Sequence, residues 1–102
     1  MQFSEYIFDK TVAKTSEFNG EIHAIVTVND SALTFTEQLS EVADGIQKII
    51  SNSNGYSPVF VRIMLSDAAN QAEIAVNKVK SIVGDIAIAY IEQPPLHGAK
   101  IS

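Results

Sequence analysis

Residues 58–71 read Pro58-Val59-Phe60-Val61-Arg62-Ile63-Met64-Leu65-Ser66-Asp67-Ala68-Ala69-Asn70-Gln71, and this stretch decides the fold. Val59 to Leu65 is a run of apolar residues interrupted only by Arg62. Such a run fits a strand covered on both faces, in the middle of a sheet. Ser66-Asp67 then offers a cap for a following helix. A charge within a buried strand needs a partner or a route to solvent, so Arg62 is either structural glue or part of a site.

Working outward, the pattern after this stretch predicts a second helix over Ala68 to Val83. Its stripe is Ala72, Ala75, Val76, Val79, Ile82 and Val83, with Gly84 as the stop. Ile86 to Ile91 is again apolar on both faces and is expected to lie centrally beside Val59–Leu65. Gln93-Pro94-Pro95 forms a rigid corner, because proline lacks a backbone N–H. His97-Gly98 turns the chain, and Ala99 to Ser102 begins a last strand. That strand stops short, which leaves open that the chain is one domain of a longer protein.

Upstream, Phe3–Thr11 and Glu21–Asn29 alternate in character and read as a pair of antiparallel strands, with Asn19-Gly20 as a turn signal. Thr34-x-x-Glu37 has the form of a capping box. Phe35, Leu39, Val42, Ile46, Ile49 and Ile50 follow at helical spacing, with Glu37, Glu41, Asp44, Gln47 and Lys48 on the outer side. Ser51 to Gly55 ends this first helix. The order is then ββαβαββ over a single domain, residues 1–102. It predicts an α+β two-layer sandwich, a mixed sheet with both helices on one face. Its other face lacks a cover within the chain, so self-association is expected.

Composition narrows the function classes. With 12 acidic and 7 basic residues the net charge is -5, which argues against a nucleic-acid surface. The apolar fraction of 46% is slightly rich for 102 residues, in keeping with a subunit contact. Without cysteine there is no thiolate chemistry, disulfide or Cys-type zinc site. His23 and His97 are the only imidazoles and neither has a second ligand at metal spacing, so no metal or other cofactor is expected. No apolar run approaches the ~18 residues of a membrane span, and a signal-peptide pattern is missing, which predicts a cytoplasmic protein.

Four pieces of the chain together resemble the reactive-intermediate deaminase family (RidA, or YjgF, also labelled endoribonuclease L-PSP-like). They are Thr36-Glu37-Gln38-Leu39, Leu65-Ser66-Asp67, Ala75-Val76-Asn77 and the corner Pro95-Leu96-His97-Gly98-Ala99. The resemblance implies a chorismate mutase-like fold of the trimeric type, a homotrimer whose sheets form a central barrel, with ligand clefts between subunits. Deaminating members carry an Arg on the strand before the corner, which grips a substrate carboxylate. That place falls at Asp85 or Ile86 here, and no Arg follows Arg62. They also carry a Glu shortly after the turn, where this chain has Ser102.

The resemblance therefore implies a homotrimer that binds a small carboxylate-type metabolite without the typical imine deaminase activity. An active enamine or imine deaminase, or the endoribonuclease label of some relatives, is the alternative. The cleft candidates are Arg62, Asn77, Tyr90, Gln93, His97 and Ser102. Arg62 stands as the substitute anion-binding group or as a snorkelling residue. His97 stands as a proton carrier or as an exposed turn residue. Asn77, Tyr90 and Gln93 equally suit a helix flank, a core edge and a turn. Ser66-Asp67 is read as a helix cap rather than a nucleophile.

Overall fold

The computed structural model describes residues 2–7, 11–18, 20–28, 30, 32–53, 55–93 and 100–102. Three strands come first: β1 (Gln2–Ile7), β2 (Thr11–Phe18) and β3 (Glu21–Val28), paired antiparallel in the order β1-β2-β3. The helix α1 (Phe35–Ser51), the strand β4 (Phe60–Leu65), the helix α2 (Ala68–Val83) and the strand β5 (Ala87–Glu92) follow. β4 and β5 pair in parallel, with Arg62 opposite Ala89 and Ile63 opposite Tyr90. Ile101 adds an antiparallel bridge to Leu65 on the other edge of β4.

The α+β class, the two helices and the mixture of antiparallel and parallel pairing follow the expected pattern. The order differs: the described elements run βββαβαβ, and the expected pairing of Phe3–Thr11 with Glu21–Asn29 does not occur. β3 pairs instead with β2, in the register Phe18 opposite Glu21 and Thr11 opposite Val28. Gly20 stands in the connection at φ 79°, a left-handed conformation that glycine adopts without strain. β2 escaped the pattern because Lys14, Thr15, Ser16 and Glu17 present no apolar face of their own. A second difference is that β3 and β4 are not joined, so the expected single sheet is two ladders among the described residues. Among the described residues β5, expected centrally, has a strand partner on one side only.

α1 starts as its sequence dictates. The Thr34 hydroxyl accepts the Glu37 N–H at 3.2 Å, and the Glu37 carboxylate accepts the Thr34 N–H at 2.9 Å. Leu39 and Val42 of α1 meet Val28, Ile63, Leu65, Ala75, Val79, Val83 and Ile101 in one core. Burying a Leu or Ile side chain of this kind contributes about 1.5–3 kcal/mol. Gly45 is buried against β3, and a Cβ there would lie 2.8 Å from Val26 Cγ1 and 3.3 Å from Thr11 Cγ2. The missing side chain lets α1 sit closer to the sheet than any other residue would allow.

α2 spans Ala68–Val83 as read from the sequence, but its start is capped differently. The Asp67 side chain makes no cap bond to the helix backbone. The Glu92 carboxylate from the end of β5 accepts the Ala68 N–H at 3.0 Å, placing negative charge at the positive end of the helix. Gln71, nearly buried, bridges back by accepting the Asp67 N–H at 3.0 Å and donating to Ser66 Oγ at 3.1 Å. Gly84, at φ 84°, closes the helix by donating its N–H to Lys80 O at 2.9 Å. No helix among the described residues is long and apolar enough to cross a membrane.

Candidate functional site

Strand alternation sorts the side chains into two layers. Thr11, Ala13, Val26 and Val28 turn toward α1, and Ile63 and Leu65 turn into the same core. The opposite face carries Ile7, Val12, Lys14 and Ile25 on the first ladder and Phe60, Arg62, Met64 and Ile91 on the second. Ile7 is 71% exposed, Ile25 66% and Phe60 52%. This open face mixes exposed apolar side chains with charged ones, Lys14 opposite Glu5 on the first ladder and Arg62 on the second.

Arg62 lies exposed on that face with its guanidinium carbon 5.9 Å from the centre of the Phe60 ring. A cation over an aromatic face at this distance is held by the ring quadrupole, worth about 0.5–1 kcal/mol at an exposed site. Among the described residues no carboxylate neutralises it. Its hydrogen-bonding fork is therefore available to an incoming anion.

Asn77 and Tyr90 lie together on the other side of the sheet. They line a shallow depression of about 440 Å³ with Ala68, Ala72, Glu73 and Val76, between α2 and β5. The register explains the separation: Arg62 stands opposite Ala89, so Tyr90 points the other way. Among the described candidates, Arg62 consequently does not converge with Asn77 and Tyr90 within one chain. Gln93 is exposed, and its backbone N–H prolongs the β4–β5 ladder by donating to Leu65 O at 3.0 Å. Ser102 is committed through its backbone, exchanging hydrogen bonds of 3.0 and 3.1 Å with Met64. His97 and the Pro94-Pro95 corner lie outside the described residues.

Periodicity also missed three buried polar side chains, each bonded. Gln38 donates from Nε2 to Leu33 O at 3.0 Å and accepts the Lys100 N–H through Oε1 at 2.8 Å. Thr11 donates to Glu41 Oε2 at 3.1 Å, so Glu41, expected on the outer side, is drawn half inward. Gln71 is the third. These tie elements together and leave no buried polar side-chain atom unpartnered among the described residues. They are structural bonds between elements.

His23 meets Glu21 at 3.3 Å on the exposed surface, where such a pair adds little. Among the described residues no group of three or more metal-ligating side chains forms. No family model, curated protein or solved structure matches this chain.

Proposed function

We propose that the chain is a divergent RidA/YjgF-like protein that works as a homotrimer and binds a small carboxylate-bearing metabolite between subunits. In this reading the open sheet faces of three copies meet, and the catalytic Arg and Glu of the deaminases have no counterpart. The observation that supports it is the open face itself, where Arg62 stands beside exposed Phe60 on one ladder while Ile25 and Ile7 lie exposed on the other. Covering that surface removes apolar area from water at ~25 cal/mol per Å². It also lowers the polarity around Arg62, which strengthens its pairing with an anion. The separation of Arg62 from Asn77 and Tyr90 within one chain accords with a cleft assembled from more than one subunit.

Light scattering tests the assembly, with three times the 11.1 kDa chain mass expected. A monomer at micromolar concentration refutes it. Thermal shift with pyruvate and 2-oxobutyrate tests the ligand class. Arg62→Ala is expected to weaken binding by ten- to a hundredfold, the loss of a charge-assisted hydrogen bond of about 1.5–3 kcal/mol. Hydrolysis of 2-iminobutyrate accelerated by the wild type and not by Arg62→Ala would instead establish the enzyme reading.

A further inference from the structure

The edge of β5 that faces away from β4 carries none of the usual protection against pairing. Among the described residues β5 pairs with β4 alone. Its ladder to β4 runs from Ala87 to Glu92 without a bulge, and Ile86 to Ile91 holds no charge and no proline. Charges, prolines and bulges are what ordinarily keep an exposed edge from pairing. β1, at the end of the first ladder, has Glu5 in mid-strand. On β5, by contrast, the exposed residues are apolar: Tyr90 is 50% exposed and Ile91 38%.

The direction of the backbone groups follows from one bond. Gln93 turns its N–H toward β4, donating to Leu65 O at 3.0 Å. Successive residues of a strand turn their peptide groups to opposite edges, so Ile88, Tyr90 and Glu92 direct N–H and C=O outward. α2 packs over both β4 and β5. Its Ala69, Ala72, Glu73, Val76 and Asn77 border the depression beside β5. Lys80, seven residues after Glu73, continues the same helical face.

We propose that β5 pairs antiparallel with β5 of a second copy of this chain, about a two-fold axis at Ala89. The edge is self-complementary in this register, as a two-fold contact requires. Ile88 and Tyr90, whose backbone groups point outward, meet Tyr90 and Ile88 of the second copy as hydrogen-bonded pairs. Ala87 lies against Ile91 and Ile91 against Ala87, a small residue facing a large one each time. Glu92 falls opposite apolar Ile86, so no like charges oppose each other along the shared ladder. With each α2 lying over its own two strands, two strand spacings of ~4.8 Å set the two helices about 10 Å apart, a packing distance that the alanines allow. The helices run antiparallel, so the Glu73 half of each faces the Lys80 half of the other. Lys80 is held only by the fully exposed Asp85 at 3.9 Å, which leaves its ammonium able to turn to Glu73 of the second copy. The contact uses an edge and is therefore independent of association through the open face.

The chain has no cysteine, so Ala89→Cys introduces a single thiol. Opposed residues of a non-hydrogen-bonded antiparallel pair have Cα atoms ~4.5 Å apart, within disulfide reach. Under mild oxidation Ala89→Cys is expected to form a covalent dimer at least tenfold faster than Ile74→Cys, an exposed α2 position that does not border the depression. In the wild type the Ile88 and Tyr90 amides are expected to exchange at least tenfold more slowly as the chain is raised from micromolar to millimolar concentration. Glu73→Lys is expected to weaken the pair about tenfold, since the contact occurs twice, and adding Lys80→Glu to restore it. Equal cross-linking of the two thiols, or exchange of Ile88 and Tyr90 that ignores concentration, overturns the proposal. Light scattering separates it from the trimer: three chains without the Ala89 cross-link refute this pair alone, and a cross-linked pair of only two chains refutes the trimer alone.

Discussion

The carboxamide of Gln38, wholly buried in α1, holds the backbone of Lys100, 62 residues away, by accepting its N–H at 2.8 Å. The same side chain donates to Leu33 O, which also accepts from the Lys100 ammonium at 3.1 Å. One amide thus joins the start of α1, the loop before it and the end of the chain.

Gln38→Ala is expected to lose about 2–4 kcal/mol, the sum of an unsatisfied buried N–H and a small cavity. Urea unfolding measures the loss. Amide exchange supplies the specificity, because Ser102 should open well before β4. A change below half a kcal/mol would show that Lys100 needs no such anchor.

At Gly45 two effects oppose each other. Alanine in a helix interior gains about 0.5–1 kcal/mol over glycine. Here its Cβ would press on Val26 Cγ1 at 2.8 Å, and overpacking costs about 1–3 kcal/mol. Gly45→Ala is therefore expected to lower stability by about 1–2 kcal/mol, and Val26→Ala to recover part of the loss in the double variant. A higher melting temperature for Gly45→Ala alone would contradict the close approach of α1.

Tyr56 links the segment after α1 to β2. Its hydroxyl pKa is raised, chiefly by a hydrogen bond to Glu17, with burial and the Glu17 charge adding to it. A raised folded pKa means that the neutral phenol is favoured in the native state. The contact then contributes its stability below the unfolded value of about 10 and loses it as pH rises through the native one. Ultraviolet titration, with Tyr6 and Tyr90 replaced by Phe, should show the midpoint fall in Glu17→Gln. An unchanged midpoint would remove Glu17 as the cause.

The legible parts of the fold are those where local chemistry and tertiary packing agree. α2 is legible to the residue because Ala75, Val79 and Val83 form its buried stripe and Gly84 closes it. The capping box of α1 is wholly local and legible for the same reason. β2 was not legible: its strand state comes from neighbours on both sides, and its sequence offers only small or polar side chains to the core. The same limit governs the site. Arg62 could be singled out by its contrast with the strand around it. That Tyr90 points away from it depends on the β4–β5 register, which no property of either strand alone encodes.

The Ala68 N–H that opens α2 is held by Glu92, 24 residues downstream. During synthesis the Ala68 N–H lacks this partner until β5 has emerged and docked. The helix therefore gains its final turn late, and the β4–α2–β5 unit matures as a whole rather than element by element. Chain growth and the capping of the Ala68 N–H are coupled here through the Glu92 side chain.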